Sequence, residues 1–205
     1  MSTSLSLSSK GKQDHFERRK SRFVPLALSD VILIEPPRFG DARGWFCETY
    51  SQGTFAENGV DLEFVQDNLS FSAVAGTVRG LHFQTEPFAQ HKLVRVLLGR
   101  ILDVAVDIRK HSPTFGKHVS AELSAENGYA LLVPAGFAHG FITRAPDTLL
   151  AYKVTDFYAP DHDHGIFWAD PQLGIDWGMG GEAEATLSVK DLALPRFAEL
   201  DHLFT

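Results

Sequence analysis

Four cationic or protonatable side chains, Arg79, His82, His91 and Lys92, fall within the stretch GTVRGLHFQTEPFAQHK (76–92). Histidine exchanges a proton near neutrality because its ordinary pKa is about 6.5. A lysine beside it supplies a positive charge that stabilises a developing oxyanion. Further along, His139 and Tyr152 lie in segments of β-like composition. A phenol placed opposite a base can return a proton to the far face of a carbon. Base, oxyanion stabiliser and acid together describe proton abstraction next to a carbonyl. Taken singly, a strand histidine is more often a satisfied structural residue and Tyr152 a core aromatic, so only the set points to chemistry.

The spacing within that stretch sets a condition. Arg79 and His82 are three residues apart and would face opposite sides of an ideal strand. Gly80 stands between them, and a bulge there would bring both to one pocket. The segment then runs into LVRVLLGRILDVAVDIR, where LVRVL (93–97) and ILDVAVDI (101–108) meet at Gly99 as the arms of a hairpin. In the second arm Leu102, Val104, Val106 and Ile108 share an apolar face, and Asp103, Ala105 and Asp107 share a polar one.

Short β-type runs continue along the chain at VILIEP (31–36), Trp45–Thr49, 61–72, 77–83, HVSAEL (118–123), YALLVP (129–134), HGFIT (139–143) and TLLAYKV (148–154). SQGTFAENG (51–59) reads as a short helix stopped at Asn58-Gly59, and the tail around Pro195 as a brief helical turn. No long helical period alternates with the strands, which argues against a parallel βαβ fold. The expected class is all-β, an antiparallel jelly roll or cupin-type barrel with a few short flanking helices. NGYALLVPAGFAHGFIT supports it. Gly128, Pro134, Gly136 and His139 fit the second cupin motif, G-x5-P-x-G-x2-H-x3-N, with Thr143 in place of the usual Asn.

Metal-binding cupins carry an earlier H-x-H pair, but Phe83 and Gln84 follow His82 here. A metal needs three or four converging ligands, and the histidines of HSPTFGKH and HDH (162–164) stand in loop-like contexts. A barrel without metal or cofactor is expected.

The chain has 205 residues, 44% of them apolar and 22% charged, as in an ordinary soluble protein with one sizeable core. No apolar run is long enough to span a bilayer, and the N-terminus lacks the apolar stretch of a secretory signal, so no membrane partner is expected. A single cysteine, Cys47, fits a cytoplasmic location. The net charge of −7 argues against nucleic acid as a partner. Residues 1–22 nonetheless hold six Lys/Arg against two Asp/Glu. Residues 1–24 are expected to be a mobile, basic, Ser-rich extension, and residues 25–205 a single domain.

FGDARGWFCE, FVQDN, RGLHFQ, KLVRV, GRILDVAVDIRKHSPTFG, LSAENG, PAGFAHGF, YKVTDFY and LSVKD extend in order over most of residues 31–191. With these segments the chain resembles the dTDP-4-dehydrorhamnose 3,5-epimerase family. The resemblance implies a metal-free jelly roll, usually a homodimer, acting on a nucleotide-linked 4-keto-6-deoxyhexose in deoxysugar biosynthesis. It implies His82 as the base, Asp191 as its paired carboxylate, Lys92 at the enolate oxygen and Tyr152 as the proton donor. It places Arg43, Glu48, Gln66, Asn68, Arg79, His139, Asp163 and Lys190 at the substrate, with Arg43 and Arg79 suited to a diphosphate. The implied reaction inverts C3 and C5 of dTDP-4-dehydro-6-deoxy-D-glucose to give dTDP-4-dehydro-L-rhamnose. A mono-epimerase, or a sugar-nucleotide-binding cupin without catalysis, is the alternative. Three features depart from the family: Asp163 stands where Glu is more frequent, glycines fill the segment before LSVKD, and the N-terminal extension has no counterpart.

Overall fold

A computed structural model of the chain describes residues 20–180, 184–200 and 204. Residues 1–19 of the expected extension lie outside them. Two antiparallel sheets face each other. The larger has six strands in the order β1 (Arg22–Pro25), β2 (Ile32–Glu35), β10 (Ala130–Val133), β7 (Lys92–Leu98), β12 (Thr148–Val154) and β5 (Gln66–Ser72). The smaller has five, in the order β13 (Asp163–Gly165), β6 (Val78–Gln84), β11 (Phe137–Thr143), β8 (Arg100–Asp107) and β9 (His118–Ser124). A separate hairpin pairs β3 (Phe39–Asp41) with β4 (Gly44–Phe46). Two short helices flank the sheets, α1 (Gln52–Glu57) and α2 (Val189–Leu192). This is the expected antiparallel jelly roll.

Period-2 alternation places the cores. Val94 and Val96 of β7, Leu150 of β12, Leu131 of β10 and Ile101, Ala105 and Phe141 of the smaller sheet meet between the sheets. The other face of the smaller sheet, with Val78, Leu81, Val104, Val106 and Ile142, is covered by Ile166, Trp168, Trp177 and Phe197 from the C-terminal segment. A third cluster packs Phe55 of α1 on Ile34, Leu93 and Leu132. Ser51 caps α1, its hydroxyl accepting from Thr54 N, and Asn58-Gly59 ends it as expected.

The structure corrects three readings. The folded part begins before Pro25: Arg22–Pro25 pairs with Ile32–Glu35, and Arg22 Nη1 donates to Glu35 Oε2 at 2.6 Å. Arg22, Phe23 and Val24, assigned to the extension, therefore belong to the folded domain. The DHDHG segment is not a solvated loop, because Asp163–Gly165 adds an edge strand to β6. His162 Nδ1 lies 2.8 Å from Thr85 Oγ1, and the His164 ring packs on Phe83. Finally, both faces of β8 are dry. Its apolar face lies under the C-terminal segment, while Asp103 and Asp107, on the polar face, are fully buried.

Candidate active site

A cavity of about 560 Å³ opens between the sheets, and its lining alternates along each strand as the pleat requires. Gln66, Asn68 and Ser70 line it from β5, Lys92 and Val94 from β7, and Leu150 and Tyr152 from β12. Arg79, His82 and Gln84 line it from β6, and His139 and Phe141 from β11. Asp163 of β13 and Ser188, Lys190 and Asp191 of the α2 turn close the mouth, together with Tyr158.

Arg79 and His82 share this cavity despite their odd spacing. His139 pairs with His82 and Phe141 with Arg79, so three steps on β6 match two on β11. That is the expected bulge. Gly80 sits in it with φ +123°, and a Cβ there would lie 2.6 Å from Gly140 Cα and 2.8 Å from His139 O. Only glycine fits such an approach.

His82 Nε2 lies 2.6 Å from Asp191 Oδ1, with the imidazole 26% exposed and the carboxylate 7%. At this distance the carboxylate orients the ring and stabilises its charged form. Nδ1 of the ring is buried and has no hydrogen-bond partner among the described residues. Asp191 is fixed from its other side: Ser188 Oγ donates to Oδ2 at 2.7 Å and accepts from Asp191 N at 3.1 Å. Burial pushes the Asp191 carboxyl up, but the hydrogen bonds from His82 and Ser188 outweigh it, and its pKa falls below the usual value.

Lys92 Nζ donates to His82 O at 3.2 Å. Burial pulls its ammonium down to about 8, against the opposing pull of Asp163 and then Asp103. Burial also raises the Tyr152 hydroxyl above its ordinary value, with Arg79 lowering it and Asp163 raising it. Tyr152 thus keeps its proton at neutral pH, and it stands on the sheet facing the one that carries His82.

Around this centre Gln66 Nε2 donates to Asn68 Oδ1 at 2.9 Å, and Arg79 Nη2 donates to Phe71 O at 2.9 Å. Lys190 Nζ meets Asp163 Oδ2 at 2.6 Å, and the Tyr158 hydroxyl donates to the same oxygen at 3.1 Å. The shorter acid at position 163 therefore still reaches across the mouth. His139 Nε2 lies 2.6 Å from Asp103 Oδ1.

Ten of the twelve expected site residues meet in this cavity: His82, Lys92, Tyr152, Asp191, Gln66, Asn68, Arg79, His139, Asp163 and Lys190. Arg43 and Glu48 do not. Arg43 pairs with Asp41 on the β3–β4 hairpin and is 90% exposed. Glu48 lies in a different depression, where Thr54 Oγ1 donates to its Oε1 at 3.4 Å. His91 lines no part of the cavity; its backbone N donates to Thr155 Oγ1. Sequence reasoning missed Asp103, Tyr158 and Ser188. An acid alternating with apolar residues, and a serine three residues before an acid at a helix start, were the available signals. Among the described residues, no group of three His, Cys, Asp or Glu side chains is placed to hold a metal ion.

The model of the dTDP-4-dehydrorhamnose 3,5-epimerase family matches residues 25–199. A dTDP-4-dehydrorhamnose 3,5-epimerase of Sinorhizobium fredii is 54% identical over 178 residues, 87% of this chain and 90% of the relative. Among solved structures, the dTDP-4-dehydrorhamnose 3,5-epimerase of Bacillus anthracis, with TDP and pyrophosphate bound, aligns with TM-score 0.82. It is 48% identical, over 86% of this chain and 99% of that one. The dTDP-6-deoxy-D-glucose-3,5-epimerase of Legionella pneumophila, in complex with dTDP-4-keto-L-rhamnose, aligns with TM-score 0.84. It is 43% identical, over 88% and 95% of the two chains.

Proposed function

The chain belongs to the dTDP-4-dehydrorhamnose 3,5-epimerase family, a family of isomerases, and from that premise we propose how its own residues carry out the reaction. The substrate is dTDP-4-dehydro-6-deoxy-D-glucose, and the product is its epimer at C3 and C5, dTDP-4-dehydro-L-rhamnose. The C4 ketone acidifies the hydrogens on both neighbouring carbons. His82 removes each in turn, while Asp191 holds the ring and stabilises its charged form. Lys92 faces the enolate oxygen that forms at C4. Tyr152 returns a proton from the opposite face, which inverts the carbon.

The observation that supports this most is the arrangement of base and acid on facing sheets. His82–Asp191 lines one wall of the cavity and a protonated Tyr152 the other, with Lys92 beside them. Binding alone needs neither group. Arg79, Gln66, Asn68, His139, Asp163 and Lys190 hold the nucleotide and sugar. We place the protein in the cytoplasm, where nucleotide sugars are made, as a homodimer whose partner copy supplies Arg43 and Glu48, since neither reaches the cavity of its own chain.

Incubation of the purified protein with this substrate in deuterated water tests the reading. Label is expected at both C3 and C5. Label at one carbon would make it a mono-epimerase, and binding without any label would leave a silent sugar-nucleotide-binding protein.

A further inference from the structure

Asp103 is fully buried on the interior face of β8, and the mechanism above gives it no task. Its Oδ1 lies 2.6 Å from His139 Nε2, while Oδ2 is buried with no hydrogen-bond partner among the described residues. A buried carboxylate so poorly satisfied needs positive charge close by to offset the loss of water. Two groups of the cavity answer to that. A carboxylate can only accept, so the short contact puts the His139 proton on Nε2. Lys92, on the facing sheet, feels the negative charge of Asp103.

Other charges also face Lys92. Arg79 and His82 do so from β6, His139 from β11 and Tyr152 from β12. Asp163, Tyr158, Lys190 and Asp191 do so from the mouth. Of the other acids, Asp191 is taken up by His82 and Ser188. Asp163 acts on Lys92 more strongly than Asp103 does, but its carboxylate is shared with Lys190 and Tyr158. Asp103 is the acid behind the cavity wall, out of reach of the substrate, since it does not line the cavity.

We propose that Asp103 is a positioning residue for the epimerisation: it fixes the tautomer and orientation of His139 and holds Lys92 as an ammonium toward the enolate oxygen. The proposal rests on the reading of Lys92 as enolate stabiliser. It also accounts for an acid on a dry strand face, where an apolar residue would pack at lower cost.

The test is a titration of Lys92 in the full chain by NMR of labelled lysine side chains, with the resonance assigned through Lys92→Arg. In Asp103→Asn the Lys92 midpoint should fall by about one pH unit. The alkaline limb of kcat/KM for solvent exchange should move down with it. An unchanged midpoint overturns the proposal. Should the variant fail to fold, the imidazole nitrogens of the unaltered protein decide: a proton on His139 Nε2 supports the pairing, and one on Nδ1 overturns it. The lysine titration needs no substrate. A shifted midpoint in a protein that turns over no sugar would therefore sink the epimerase reading while leaving the Asp103–Lys92 linkage standing.

Discussion

Burial brings the Lys92 ammonium from an ordinary 10.5 to about 8, against the pull of Asp163 and Asp103. Since the folded value lies below the unfolded one, the unfolded chain binds more protons between those two pH values. The cost of keeping this cation half-dry, about 3 kcal/mol, is fully present below about 8 and fades as pH rises toward 10.5. That cost suits a catalytic lysine, because an ammonium deprived of water stabilises a nearby enolate more strongly. The same value sets a pH signature. With substrate well below KM, kcat/KM should fall about tenfold per pH unit above about 8 as Lys92 loses its proton. Arginine keeps its charge throughout this range, so Lys92→Arg should remove that limb even if its plateau rate is lower. A limb at the same pH in the variant would assign it to another group.

Strand β6 brings Arg79 and His82 to one surface only because its bulge lets β6 run one residue long against β11. Gly80 makes that possible, with no room for a Cβ against the Gly140 backbone. Gly80→Ala should destabilise the fold by at least ~2 kcal/mol, read as a lower urea midpoint. It should also cost activity beyond that loss, measured where the variant is still folded, because the strand must lose its bulge to relieve the clash. An unaltered midpoint would mean that the strand adapts. The Arg79–His82 spacing made the bulge legible in advance, and the alternation of TLLAYKV and HVSAEL made their strands so. Two things were not legible. Asp163–Gly165 is three residues long, too short for any period to show, and it is a strand only because the edge of β6 lies open beside it. The acids of β8 read as a polar face, but period 2 separates faces without saying which is wet. Here the C-terminal segment covers the apolar face, and the other sheet covers Asp103.

Ten expected site residues, drawn from five strands, an edge strand and the α2 turn, converge in one chain, yet Arg43 and Glu48 stay outside the cavity. Motif matching assigns a residue to a site without saying which copy of the chain supplies it, so this part was beyond the sequence. Arg43 projects from a hairpin that also bears Trp45 and Phe46, 58% and 69% exposed, and Leu69 and Phe71 are exposed on β5, the edge strand of the larger sheet. In the proposed homodimer these apolar side chains would be covered while Arg43 and Glu48 reached the partner's cavity. A two-fold interface makes such an exchange reciprocal, which gives a decisive mixing experiment. His82→Asn and Arg43→Ala proteins should each be strongly impaired alone. Co-expressed, half of the dimers formed at random pair the two variants. One cavity of each such hybrid then combines an intact His82 with an intact Arg43 from the other copy. Activity should recover to roughly a quarter of the unaltered protein's. If Arg43 acted within its own chain, no hybrid cavity would hold both residues, and the mixture would show only the average of the two variants.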